Sequence, residues 1–372
     1  MKSHIAEYVS PGHPDRLADA IVESIVDLAV QRDDLNQALV GVECAVHTDH
    51  VFIDGRIACG FDMDGCTVNA EEIDEIARNV YRDAGYGGIW IHAPESLKVI
   101  QNVCLDSLSD AERSIRILSD DQNVVTGYAC NHPETDYLPP AHFIANYIGR
   151  KMDGWRRTVS DKFGPDFKVL VHIDDNGGHY EWRRLTISIQ HRSGVFAAEQ
   201  HELVLPVVSG ALAELEARGL AGISNLPLEN FILNGMGDFI VGGPEGDNGL
   251  SGKKLAVDFY GPEIPIGGGA ICGKDPYKVD VAGAFRAREL ALNLLKERGG
   301  SAVTVRLGWT PGDAAPAFRE AESVDSLGLT HPIPASALPP EDWFSIDSIV
   351  ADLRLTALVR RERVLAGYFV TA

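Results

Sequence analysis

The chain has 372 residues, of which 45% are apolar and 23% charged, enough for two or three domains with a sizeable core. A formal net charge of −21 argues against a general nucleic-acid or anionic-membrane surface. No apolar stretch is long enough to span a membrane, Met1 to Pro14 lacks a signal-peptide core, and the six cysteines show no metal spacing, so the chain reads as cytoplasmic with buried thiols.

Leu17, Ile21, Ile25 and Leu28 recur at helical spacing behind Pro14, which predicts a helix from Pro14 to Val30. Apolar residues alternate on both sides of Thr48-Asp49, which predicts a hairpin from Ala38 to Ile57. Ala70 to Ala84 reads as a helix ending at Gly85. Lys168–Ile173 and Arg184–His191 read as strands joined across Asp174-Asp175-Asn176-Gly177-Gly178. Ala197 to Arg218 is largely helical, with Pro206 marking a kink or a late start. Lys254 to Tyr260 alternates like a strand. Val279 to Arg298 reads as an amphipathic helix closed by Gly299-Gly300, and Ser301 to Trp309 as a strand. Pro311 to Pro340, rich in Pro, Ala and Ser, reads as a long surface connection. Paired strands and helices thus recur about three times without a residue-level repeat, with boundaries expected near 105–115 and 220–232.

Three motifs carry chemistry. Gly267-Gly268-Gly269-Ala270-Ile271-Cys272-Gly273-Lys274-Asp275-Pro276-Tyr277-Lys278-Val279-Asp280 packs glycines, lysines and aspartates just before a helix. Glycines let backbone N–H groups approach an anion, lysines neutralise it, and an aspartate can hold Mg2+ beside phosphate oxygens. The plain alternative is a glycine-rich turn before a solvated helix start. Ser10-Pro11-Gly12-His13-Pro14-Asp15-Arg16 puts His13 and Asp15 at a helix start, where anions are favoured; its plain alternative is helix capping. Gly242-Gly243-Pro244-Glu245-Gly246-Asp247-Asn248-Gly249-Leu250-Ser251-Gly252-Lys253-Lys254 again combines glycines, an aspartate and lysines. Its likeness to the 267–280 run weakens the reading of a simple turn. Together the two glycine runs supply four lysines, enough to neutralise most of a triphosphate.

These motifs, in this order, resemble those of the S-adenosylmethionine synthetase (methionine adenosyltransferase) family. The family's signatures are close to Ser-Glu-Gly-His-Pro-Asp-Lys, Gly-Gly-Pro-x-Gly-Asp-x-Gly-Leu-Thr-Gly-Arg-Lys and Gly-Gly-Gly-Ala-Phe-Ser-Gly-Lys-Asp-Pro-x-Lys-Val-Asp. Weaker likeness covers nearly the whole chain, including Val42-Glu43-Cys44, Gly127-Tyr128-Ala129 and Asp166-Phe167-Lys168. The resemblance implies an α+β fold of three similar sheet-and-helix repeats in a pseudo-threefold arrangement, with units at 1–105, 115–231 and 232–372. It implies attack of methionine sulfur on C5′ of ATP, loss of the whole triphosphate, and hydrolysis of that triphosphate. A thioether has no proton to lose, so the task is positioning and stabilising charge on the leaving group.

Carried over, Asp15 and Asp280 are magnesium ligands for two Mg2+ per site, and Glu43 is a potassium-site acid. His13 is the polar group near the breaking bond. Lys168, Lys253, Lys254, Lys274 and Lys278 contact triphosphate, while Asp166 and Asp247 lie near phosphate and ribose. Phe231 or a near neighbour packs on adenine, and Asp121 with Gln122 lies near the methionine amino group. In the family these residues come from two subunits, which implies a homodimer with shared active sites or a tetramer built from it.

The departures fall mostly on the acceptor side. Where the family has Gly-Glu-Ile facing the methionine ammonium, this chain has Gly55-Arg56-Ile57, a cation expected to repel an ammonium and attract a carboxylate. The Asp-Ile-Asn-Gln-Gly segment has no counterpart between Leu105 and Leu118, and the Gly-Ala-Gly-Asp-Gln-Gly loop has become Leu118-Ser119-Asp120-Asp121-Gln122-Asn123. Lys253 replaces an arginine, Ile266 a histidine and Asn248 a small residue beside the potassium site. The leading reading is methionine adenosyltransfer. The alternatives are a divergent adenosyltransferase with a modified methionine-like or other thioether acceptor, an ATP-binding pseudoenzyme subunit, and a stand-alone ATP phosphohydrolase.

Overall fold

A computed structural model describes residues 2–60 and 66–370. In chain order the strands are β1 (Lys2–Val9), β2 (Leu39–His47), β3 (His50–Ala58), β4 (Lys98–Asp106), β5 (Asn123–Cys130), β6 (Phe163–Asp175), β7 (Tyr180–His191), β8 (Phe231–Leu233), β9 (Gly249–Leu250), β10 (Ala302–Trp309), β11 (Phe318–Val324) and β12 (Thr330–Pro332). The helices are α1 (Pro14–Arg32), α2 (Ala70–Ala84), α3 (Asp110–Ile115), α4 (Pro140–Arg156), α5 (Ala197–Ala217), α6 (Leu255–Asp258), α7 (Val279–Arg298), α8 (Ile346–Asp352) and α9 (Arg360–Ala366).

The strands form three four-stranded sheets, ordered β1-β6-β7-β8, β4-β3-β2-β9 and β12-β11-β10-β5. The β3–β4 and β7–β8 pairs are parallel and the remaining pairs antiparallel. The sheets do not follow boundaries near 105–115 and 231. β1 reaches across the chain to β6, β5 pairs with β10, and the two-residue β9 joins β2. Each sheet therefore ties together distant stretches of sequence.

Most regular elements form where their patterns predict. α1 starts at Pro14, and its Leu17, Ile21 and Ile25 are fully buried against β2, α2, α9 and β9. Each such side chain contributes about 1.5–3 kcal/mol of burial. α2 carries a capping box at Asn69 and Glu72 and ends at Gly85 in the left-handed region. α5 runs through Pro206 without a late start. α7 spans the predicted residues, and its backbone lies so close to β5 that a Cβ at Gly127 would meet the Ala287 carbonyl at 1.9 Å.

Two stretches differ from expectation. Residues 254–260 are not a strand: α6 forms one helical turn there, and Asp258 turns inward to an ion pair with Arg16 of α1. Period-two apolarity here reflects burial of Val257, Phe259 and Tyr260 without a neighbouring strand to pair with. Residues 311–340 are not a bare connection, since β11 and β12 extend the third sheet through Ala321, which is buried, while β12 is wholly exposed.

The C-terminal segment is fastened to α1 by a buried ion pair. Arg360 Nε donates to Glu23 Oε2 at 2.5 Å and Nη2 to Oε1 at 3.0 Å, and Tyr368 Oη donates to the same carboxylate. Burial pushes the Glu23 carboxyl up and Arg360 opposes it. Replacing Arg360→Met leaves that carboxylate largely unpaired, so urea unfolding is expected to show a loss of about 3–5 kcal/mol, mostly recovered in the Glu23→Leu/Arg360→Met double variant. A single variant as stable as the parent would contradict this role.

Candidate active site

The Ser10–Asp15 turn is clamped onto β6 before α1 begins. Ser10 Oγ donates to the Pro165 carbonyl at 2.9 Å and accepts from Phe167 N–H at 2.8 Å. Gly12 packs so tightly that a Cβ there would lie 2.4 Å from Pro165, and Tyr86 Oη donates to the Gly12 carbonyl at 2.5 Å. His13 is therefore held at the N-cap of α1, where its Nδ1 accepts the Asp15 N–H at 3.2 Å. An accepting Nδ1 leaves the ring proton on Nε2, as a donor.

The 242–254 loop closes over this helix start. Asp15 Oδ1 accepts Leu250 N–H at 3.0 Å, and Asp19 Oδ1 accepts Gly252 N–H at 2.8 Å. Lys254 Nζ lies 3.0 Å from Asp15 Oδ2 and Lys253 Nζ 3.6 Å from Oδ1. Asp166 Oδ2 accepts Gly243 N–H at 2.8 Å. Only glycine fits at 249, where a Cβ would meet the Pro14 carbonyl at 2.2 Å.

These contacts leave a cavity of about 280 Å3 lined by His13, Asp166, Lys168, Phe239, Gly242 and Asp247, among others. Burial and then the Lys168 charge hold His13 down at about 3, so its imidazole is neutral over ordinary pH. Burial works against the Asp15 carboxylate, but Leu250 N–H and Lys254 outweigh it and keep its pKa below the usual range. Burial raises Asp166 to about 6, opposed by Gly243 N–H and Lys168.

The third motif builds a separate cavity of about 530 Å3, lined by Glu43, Asp54, Gly55, Ser251, Gly268, Gly269 and Lys274, among others. Val42 N–H donates to the Gly273 carbonyl at 2.9 Å, which docks the glycine run on β2. Lys274 Nζ donates to Asp280 Oδ1 at 2.6 Å, and Lys278, the N-cap of α7, pairs with Asp120. A Cβ at Gly269 would sit 2.1 Å from Asp280 Oδ1, so glycine there makes room for the carboxylate. Asp275 is fully buried, accepts Val40 N–H at 2.9 Å and Tyr277 N–H at 2.9 Å, and pairs with Arg116. It is a staple within the motif.

The four motif lysines thus divide. Lys253 and Lys254 stand with Asp15, next to the His13 cavity, while Lys274 lines the other cavity and pairs with Asp280, and Lys278 pairs with Asp120. Glu43 lines the larger cavity directly opposite Asp54 across the β2–β3 pair. Asp121 and Gln122 are exposed beside Asp120, with Asp121 Oδ1 accepting Gln122 N–H at 2.7 Å.

Phe231 is buried in β8 with its ring against His201, and Phe239 is the aromatic that lines the His13 cavity. Phe239 precedes the Gly242-Gly243-Pro244 run, which was the available signal. Arg56 is not a free cation: its Nη2 bonds Glu112 Oε1 at 2.7 Å, with Asp106 at 3.8 Å. Ser109 and Arg56 together hold the Glu112 carboxyl down at about 2. Sequence reading also missed Asp54 and Asp120, which lie outside the three motifs and reach their partners only through strand pairing and folding.

The Asp15 carboxylate fits a divalent metal ion. Its Oδ2 is buried and pairs with Lys254 Nζ at 3.0 Å, which leaves a second lone pair on that oxygen unclaimed. Asp280 offers its carboxylate beside an open glycine cradle.

Between about pH 3 and 6.5 an unfolded chain takes up a proton that folded His13 refuses, so His13 makes stability fall as pH drops below 6.5. Asp166 acts oppositely, because the folded carboxyl keeps a proton up to about 6 that the unfolded chain releases above 3.8. NMR titration of the His13 ring is expected to show no charging from about pH 5 to 8. A midpoint near the ordinary 6.5 would contradict the buried, accepting geometry.

The comparisons with known proteins agree with these motifs. Residues 2–107 match the S-adenosylmethionine synthetase N-terminal domain, and residues 241–371 match its C-terminal domain. An S-adenosylmethionine synthase from Maricaulis maris is 34% identical over 324 residues, covering 84% of this chain and 78% of that protein. One from Thermosynechococcus vestitus is 30% identical over 372 residues, covering 95% and 86%. A solved structure described as an unusual S-adenosylmethionine synthetase from Campylobacter jejuni shares the fold with a TM-score of 0.81, at 23% identity, over 100% of this chain and 95% of that one. With its motifs folded around two cavities and relatives over most of its length, the chain belongs to the S-adenosylmethionine synthetase family.

Proposed function

We propose that the protein transfers the adenosyl group of ATP to the sulfur of methionine and hydrolyses the released triphosphate. The observation that carries this reading is the paired set of lysine–aspartate clusters on glycine loops, built for a highly charged anion rather than for proton transfer. Lys168, Lys253 and Lys254 around one cavity, and Lys274 and Lys278 around the other, would meet phosphate oxygens as point charges. Bound Mg2+ at Asp15 and Asp280 would supply charge neutralisation of the triphosphate. His13, neutral with a donor Nε2, would hydrogen-bond oxygen near the breaking C5′–O bond as charge develops there.

Neither cavity alone holds the full lysine set. We infer a homodimer in which the His13 cluster of one protomer meets the Lys274 cluster of its partner. Apolar side chains on the outward sheet faces support it: Phe52, Ile100 and Leu250 on one sheet, Val124 and Phe318 on another, are each more than 40% exposed.

The acceptor reading favours methionine itself. Arg56 is neutralised by Glu112, so it need not repel an ammonium. Asp54, two positions earlier on the same strand face, lies opposite Glu43, and no lysine or arginine among the described residues forms an ion pair with either. Two facing carboxylates repel each other and favour a cation between them, either an ammonium or K+. Purified protein given ATP, Mg2+, K+ and methionine should form S-adenosylmethionine, phosphate and pyrophosphate. Asp54→Asn should raise the methionine KM by ~10-fold with little change in that for ATP. Phosphate release without S-adenosylmethionine would point to another acceptor, and no turnover of ATP would leave the pseudoenzyme reading.

A further inference from the structure

A pair of cysteines lies outside this machinery. Cys59, just beyond β3, and Cys66, just before α2, are seven positions apart in sequence, and their Sγ atoms are 3.1 Å apart. That is closer than two sulfurs in ordinary van der Waals contact, and neither is disulfide-bonded. Both flanks are fastened. Cys59 N–H donates to the Asp106 carbonyl at 3.1 Å, Gly60 N–H donates to Asp33 Oδ1 at 3.0 Å, and Arg113 Nη2 donates to the Gly60 carbonyl at 2.9 Å. On the other side Thr67 Oγ1 donates to the Arg32 carbonyl at 3.3 Å, and Asn69 begins the α2 capping box. The sulfurs are therefore held against each other by anchored backbone.

We propose that Cys59 and Cys66 are a redox-active dithiol that closes to an intramolecular disulfide on exposure to a hydroperoxide. The pair is asymmetric: Cys59 is fully buried and Cys66 is half-buried, so a peroxide reaches the Cys59 sulfur only past Cys66. A hydrogen bond from Cys66, aided by Thr67 and opposed by burial, draws the Cys59 thiol down to about 6, while the same bond holds the Cys66 thiol up. The dithiol thus carries one thiolate near neutral pH, the form that reacts.

The chemistry balances with the peroxide as sole oxidant. The thiolate attacks one peroxide oxygen; an S–O bond forms, the O–O bond breaks, and the departing oxygen leaves as water or alcohol after taking a proton. The second thiol attacks the resulting sulfenic sulfur; the S–S bond forms, the S–O bond breaks, and water leaves with the last proton. Two thiols lose two electrons and two protons, and the peroxide gains them. The other cysteines lack this arrangement. Cys44, Cys130 and Cys272 are buried and their thiols are pushed up by burial, and Cys104 is exposed but has no sulfur neighbour among the described residues.

The inference does not depend on the catalytic reading. The full-length reduced protein would be titrated with hydrogen peroxide and followed by intact mass and by non-reducing peptide mapping. The expected product is lighter by about two hydrogens. Cleavage at Met63 should leave the Cys59 and Cys66 fragments joined until dithiothreitol separates them. In Cys66→Ser the cross-link should be absent, with Cys59 trapped by dimedone as the sulfenic acid. Should that variant fail to fold, mapping of the parent chain decides alone. Finding Cys59 and Cys66 still reduced once Cys104 has been oxidised would overturn the proposal, as would a cross-link between other cysteines.

Discussion

Two carboxylates on the first turns of α1 organise the rest of the site. Asp15 and Asp19 are almost wholly buried, and each takes a backbone N–H from the 249–252 stretch. A buried carboxylate without partners is costly, so the loop is bound to the helix as firmly as the helix is to the core. The same contacts seat β9 beside β2 and bring Lys253 and Lys254 to Asp15. Arg16 extends the cluster to Asp19 and Asp258, which carries α6 and the segment behind it. Glycines at 12 and 249 permit this closeness, because a side chain at either would strike backbone.

That arrangement explains why the chemistry was legible in the sequence and part of the architecture was not. The three motifs are local: each is a turn that must place specific residue types next to a helix start, and no distant partner changes that requirement. α2 was legible because cap, apolar stripe and closing glycine agree, and α7 because Gly299 closes it. The sheets were not, because β1 with β6, β5 with β10 and β9 with β2 are pairings between remote segments that carry no local signal. The 254–260 stretch misled for the same reason, since alternation reports burial on two sides and not the presence of a neighbouring strand.

Charges on the acceptor side teach a related lesson. Arg56 in isolation looked like a reversal of the family's charge, yet Glu112 lies 2.7 Å from it, supplied by a helix in the 105–118 segment that lacks the family pattern. The two departures thus meet in one ion pair. The anionic character that the family places at position 56 stays on the same strand face, at Asp54 opposite Glu43. Phe231 and Phe239 differ in burial: Phe231 packs against His201 in the core, and Phe239 lines the cavity.

The central claim is that the triphosphate site is assembled from the His13 cluster of one protomer and the Lys274 cluster of its partner. Lys168→Met and Lys274→Met variants, each expected to be nearly inactive alone, would be unfolded together, refolded as a mixture and assayed for S-adenosylmethionine formation. Half of the random dimers then pair the two lesions, and each mixed dimer keeps one intact site, so about a quarter of the parent activity should return. A mixture no more active than its components, from chains that have refolded and dimerised, would contradict the account.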